Sequence, residues 1–86
     1  MLRYVLSSNV MAALPIVYSA IPDLTARQRA LARSAHTSLS TIQRICDGKV
    51  GASLDTVEFI ARALDTTVTE LLTPSDATRR ALNIRK

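Results

Sequence analysis

The feature that most restricts this chain is a pair of helix start and stop marks set so close together that only short helices fit between them. Thr25-Ala-Arg-Gln28 reads as a capping box, in which the Thr hydroxyl accepts an orphan backbone N–H and the Gln side chain reaches back. Leu31, Ala32 and Ala35 then share one apolar face, which predicts a helix over about 26–34. Ser38 offers a second N-cap, Ile42, Ile45 and Cys46 form the next stripe, and Gly48 suits a left-handed helix end, which predicts a helix over about 39–47. Only Ala35, His36 and Thr37 lie between the two.

The same marks recur downstream. Ser53 caps a segment with Leu54, Val57, Ile60, Ala61 and Leu64 on one face and a Glu58–Arg62 pair on the other. Thr67-Val-Thr-Glu70 is a second capping box, opening a short helix with Val68, Leu71 and Leu72 that ends before Pro74. Beyond it Ala77, Ala81 and Leu82 keep helical spacing in a basic tail too short to be helical alone. No alternation of strand type persists, so the expected class is all-α, a compact bundle of about five short helices.

Tyr4 to Pro22 carries no charge, and a signal peptide or membrane span has to be weighed there. Ser7, Ser8 and Asn9 break the apolar run, Pro15 interrupts it again, and bulky Tyr18 spoils the cleavage-like Tyr18-Ser-Ala20. The expectation is a buried first helix. It either runs from Ser8 to Ser19 with a kink at Pro15 or starts with Pro15 in its first turn. The divisions expected are 1–23, an N-terminal extension and first helix; 24–73, the paired-helix core; and 74–86, the tail.

An 86-residue chain with one cysteine and one histidine can form neither an internal disulfide nor a His/Cys zinc cage. Packing or dimerisation must hold it, in keeping with a reducing cytoplasm. No carboxylate pair, nucleophile–base pair or Gly-rich phosphate loop is present, so neither an enzyme nor a cofactor is expected. With a 3% aromatic content there is no stacking platform for single strands, whereas a net charge of +4 points to a polyanion. The charge is segregated: Arg27, Arg29, Arg33, Arg44 and Lys49 face only Asp47 in residues 24–49, and Arg62 alone opposes Asp55, Glu58, Asp65, Glu70 and Asp76 further on. Arg79, Arg80, Arg85 and Lys86 make the tail basic again.

Two short helices joined by a tight turn, under a basic surplus, have the geometry that lays a second helix in the major groove. Leu24-Thr-Ala-Arg-Gln-Arg-Ala-Leu-Ala-Arg33, Ser38-Leu-Ser-Thr-Ile-Gln-Arg-Ile-Cys-Asp-Gly48, Ser53-Leu-Asp-Thr-Val57, Ala61-Arg-Ala-Leu64 and Val68-Thr-Glu-Leu-Leu72 resemble the phage-repressor/Cro-like, or XRE, helix-turn-helix family. The resemblance implies a lambda-repressor-like fold with Gln28 opening the scaffold helix. His36 stands where the family usually has glycine, so a left-handed backbone is expected of it. Cys46 replaces a frequent glutamate, and Asp47 a polar or basic residue.

Rotation about the second helix, with Ile42, Ile45 and Cys46 inward, turns Ser40 and Arg44 outward, Gln43 and Asp47 to one flank, Thr41 to the other and Leu39 to the core edge. Arg44 suits guanine, Gln43 adenine, Ser40 either partner and Leu39 a thymine methyl. Ser40, Gln43 and Arg44 also match the family's base-reading positions, and an ordinary polar helix face is the competing reading. Arg27, Gln28, Ser38, Thr41 and Lys49 are the candidate phosphate contacts. Arg29 and Arg33 read equally as phosphate contacts or as a solvated face.

His36 reads as a turn residue rather than a pH switch, and Cys46 as a small core hydrophobe rather than a redox sensor. Phe59 falls opposite its helix's apolar stripe, which calls for a partner in the N-terminal extension, the tail or a second subunit. The functional expectation is a cytoplasmic, sequence-specific repressor-like regulator, a homodimer on double-stranded DNA with half-sites about one turn (~34 Å) apart. The alternative is a protein-interaction module, such as an antitoxin or anti-repressor, that binds a partner through Phe59 and the tail.

Overall fold

The computed structural model describes residues 2–49 and 52–74. Five α-helices follow in order among them: α1 (Leu2–Val17), α2 (Leu24–Ser34), α3 (Leu39–Cys46), α4 (Leu54–Ala63) and α5 (Val68–Leu71). The basic tail, with the helical spacing of Ala77, Ala81 and Leu82, lies outside the described residues.

Each of the last four helices begins on a side-chain cap. Ser38, Ser53 and Thr67 are in extended conformation and accept the backbone N–H of Thr41, Thr56 and Glu70, as the sequence predicts. The start of α2 differs. Asp23, not Thr25, is the N-cap, its carboxylate accepting from the Ala26 N–H at 2.9 Å, so the helix starts at Leu24 and Gln28 lies a full turn inside it. A charged oxygen at the positive end of the helix outcompetes the hydroxyl two residues later.

Three helix ends share one device. His36, Gly48 and Asp65 adopt positive φ (55°, 69° and 55°), and the next residue donates back to the preceding helix: Thr37 to Ala32, Lys49 to Arg44 and Thr66 to Ala61. These are Schellman closures, which satisfy carbonyls that the last turn leaves without donors. His36 therefore takes the left-handed backbone expected of it. Asp65 was not anticipated, yet α4-turn-α5 repeats α2-turn-α3 almost residue for residue. Buried Leu31, Ala32, Ala35 and Ile42 correspond to buried Ile60, Ala61, Leu64 and Leu71, and the N-cap Ser38 corresponds to Thr67.

Leu14, Leu31, Ile42, Ile45, Ile60 and Val10 are the largest fully buried side chains, so every long helix contributes to one core. α2 packs on α3 and α4, while α1 lies across α2, α3 and α5. Leu54, expected on the buried stripe of α4, is instead 64% exposed, because as the first residue of that helix it projects past the core.

α1 is longer than either expected form. It starts at Leu2, holds Pro15 in its last turn and buries Val5, Leu6, Val10 and Leu14. Pro15 deprives the Met11 carbonyl of its helical donor, and the helix ends soon after. The Ser7-Ser8-Asn9 run that breaks its hydropathy has a structural use. Ser7 donates its hydroxyl to the Cys46 carbonyl at the end of α3, and Asn9 donates its amide to the carbonyls of Leu71 and Thr73, both at 2.8 Å, and of Glu70 at 3.3 Å. No helix among the described residues is long and apolar enough to cross a membrane.

The left-handed positions make opposite forecasts. Gly48→Ala, which adds the left-handed penalty and a methyl 3.1 Å from Tyr4 Cδ1, is expected to lower stability by about 1–2 kcal/mol. Asp65→Gly, which removes that penalty at some cost in unfolded-chain entropy, is expected to raise it by about 0.5 kcal/mol. Equilibrium denaturant melts of the two variants check both signs.

Candidate nucleic-acid interface

The second helix of the pair, α3, has one buried and one open face. Ile42, Ile45 and Cys46 are buried, Ser40, Arg44 and Asp47 are exposed, and Leu39, Thr41 and Gln43 are half-buried at the margins. This is the rotation derived from the sequence. The exposed face carries a hydroxyl and a guanidinium one turn apart with an amide beside them, a donor and acceptor set suited to base edges in the major groove.

At the N-terminus of α3 the hydroxyls of Ser38 and Thr41 lie 2.9 Å apart, and Ser38 Oγ also accepts the Thr41 N–H at 3.1 Å. Two hydroxyl protons serve one mutual hydrogen bond, so one O–H remains to donate outward. With the free N–H groups of the first turn this forms an anion-favouring end, and both hydroxyls are held by the helix itself. Lys49 is exposed immediately after the left-handed Gly48 at the opposite end. Arg29 and Arg33 are also exposed, on the outer side of α2.

Two expected phosphate residues sit differently. Arg27 is half-buried and donates Nε to the Ile21 carbonyl, which ties α2 to the connection from α1. Gln28 is only 6% exposed, and its side chain hydrogen-bonds Cys46. The early start of α2 explains this: Gln28 no longer opens the helix, so it faces the core rather than an approaching anion.

Cys46 is buried, as expected of a small core hydrophobe. Burial pushes its thiol above the ordinary value, the charge of Asp47 adds to the rise, and the Gln28 hydrogen bond opposes it. The polar pair is thus satisfied within the structure and lies beneath the interface rather than on it.

Phe59 and His36, two residues out of place by sequence pattern, meet each other. Their ring centroids are 5.6 Å apart at an 80° interplanar angle, edge to face, and the Arg62 guanidinium lies 5.9 Å from the Phe59 centroid. The partner of Phe59 is therefore the turn between α2 and α3, not the N-terminal extension. The cationic group of Arg62 goes to that ring, where a helical pair with Glu58 was expected. This contact joins the turn that precedes α3 to α4. The two residues lie on different helical units, so no local spacing could have paired them.

A family model described as a helix-turn-helix domain matches residues 24–73. The chain belongs to the helix-turn-helix domain family. That family comprises DNA-binding domains of the XRE-like kind, and the match spans α2 to α5. No curated protein and no solved structure matches the chain.

The raised thiol value has a pH consequence. A group whose folded value is raised stabilises the fold fully below its ordinary value of 9.0, and that contribution is lost as pH rises through and beyond it. Between about pH 8 and about pH 10, denaturant stability is expected to fall more for the wild-type protein than for Cys46→Ala, and native Cys46 is expected to alkylate only as fast as the protein opens.

Proposed function

We propose that this helix-turn-helix protein is a sequence-specific, repressor-like regulator of transcription that inserts α3 into the major groove of double-stranded DNA. The observation that carries the reading is the open face of α3. Its exposed Ser40 and Arg44, with Gln43 and Leu39 at the margins, are the side chains able to reach base edges. Arg44 donates a bidentate pair to guanine, Gln43 a pair to adenine, Ser40 bonds in either sense, and Leu39 meets a thymine methyl. Ser38, Thr41 and Lys49 bracket the helix as phosphate contacts, with Arg27 at the edge of α2. Gln28 is withdrawn from that set, because its burial gives it to Cys46.

A cytoplasmic homodimer on a two-fold operator completes the proposal, with half-sites about one helical turn (~34 Å) apart. The alternative, a protein-interaction module docking through Phe59 and the tail, draws less support once Phe59 has His36 and Arg62 as neighbours. A ring engaged within its own chain does not call for a partner to explain it.

Selection of bound duplexes from a random pool identifies the cognate site. At that site Arg44→Ala is expected to cost about 1–3 kcal/mol and to relax the preference at one base pair, while Lys49→Ala weakens cognate and scrambled duplexes alike. Equal losses on both duplexes for Arg44→Ala would remove it from the base-reading set. A protein that shifts no duplex at low salt but copurifies with a single protein partner favours the interaction-module reading.

A further inference from the structure

We propose that Arg3, presented by Tyr4 against the C-terminal end of α3, is a further DNA-phosphate contact, so that the interface continues from the recognition helix onto α1. The proposal rests on the DNA-binding reading above and extends it to an element outside the residues that match the family.

Arg3 and Tyr4 lie in the first turns of α1, and both are exposed, Tyr4 at 45%. The Arg3 guanidinium carbon is 5.2 Å from the centroid of the Tyr4 ring. That ring sits against Gly48: a methyl group there would lie 3.1 Å from Tyr4 Cδ1 and 3.3 Å from Cε1. One turn along α1, the Ser7 hydroxyl donates to the Cys46 carbonyl. Two contacts therefore fasten the start of α1 to the end of α3. Lys49, already assigned to phosphate, follows Gly48 directly.

The chemistry suits an anion. An aromatic face engages the flat side of a guanidinium and leaves its N–H edge open, and that planar fork matches two phosphate oxygens. Among the described residues no carboxylate forms an ion pair with Arg3, so its charge is not spent within them. When α3 occupies a major groove, the strand flanking its C-terminal end is what Lys49 meets, and Arg3 rests on the Tyr4 ring that packs against the preceding glycine. Gly48 thus has a second use besides its left-handed turn: the missing side chain lets Tyr4, which carries Arg3 on its ring, come close to the end of α3.

The test is the salt dependence of binding to a duplex of about 20 base pairs of arbitrary sequence, which needs no operator. Wild type, Lys49→Ala, Arg3→Ala, Arg3→Lys and Tyr4→Ala are compared as the full chain, with circular dichroism to verify that each is folded. Arg3→Ala is expected to flatten the log–log salt slope by about 0.9, as Lys49→Ala does. Arg3→Lys is expected to keep the slope, and Tyr4→Ala to keep it with severalfold weaker binding. A flattened slope for Lys49→Ala beside an unchanged one for Arg3→Ala overturns this inference and leaves the DNA-binding reading standing. Wild-type protein that binds no duplex at low salt overturns both.

Discussion

The structure depends on where the carbonyls at its helix ends find donors. Short helices leave a large share of their backbone acceptors unsatisfied, and a small domain has little apolar burial to offset them. This chain meets the difficulty twice over. Left-handed residues at 36, 48 and 65 turn the backbone so that it caps itself, and α1 brings Ser7 and Asn9 to the ends of α3 and α5. The first device sets the angle between successive helices. The second converts a cluster of such helices into a unit, because the same α1 that supplies donors also covers the core with Leu6, Val10 and Leu14.

The candidate interface inherits its geometry from these closures. The turn before α3 is fixed by the strained backbone of His36 and by the edge-to-face contact of its ring with Phe59. The end of α3 is fixed by Gly48, with Tyr4 against it and Ser7 on the preceding carbonyl. Only the open face between these clamps is left to face outward. A helix of eight residues could not hold such a face steady by its own hydrogen bonds.

What could be read in the sequence was local. Ser38, Ser53 and Thr67 announced helix starts because a cap acts on an N–H only a few residues away, and Ile42, Ile45 and Cys46 announced the inward face by their period. Glycine at 48 belongs to the same short range, while the left-handed backbone at 36 was implied by the family resemblance. The start of α2 was missed within that range, since Asp23 and Thr25 both offer a cap and the choice depends on how the chain arrives from α1. Leu54 at the first turn of α4 and the reach of α1 were missed locally too, whereas three departures are long-range: Asn9 on the carbonyls of α5, Phe59 on His36, and Gln28 on Cys46. Each joins residues whose spacing carries no period, and each drew in a side chain that sequence pattern had assigned to the surface, to a partner or to no role. The open face of α3 was legible because exposure follows from rotation alone, whereas the seat of Tyr4 against Gly48 required the path of α1.

The Asn9 contact also bears on the order in which the molecule can be assembled. A ribosome delivers α1 before α2 to α5, yet Glu70, the first in sequence of the acceptors for Asn9, follows 61 residues later. Until then α1, whose single charge is Arg3, has only α2 and α3 to cover its apolar stripe. The serine and asparagine side chains that later lock the fold meanwhile keep that stretch from being a continuous greasy surface. The helix-turn-helix pair is thus made before its partner α5, and the Asn9 tie between α1 and α5 closes only when the segment through Thr73 has emerged.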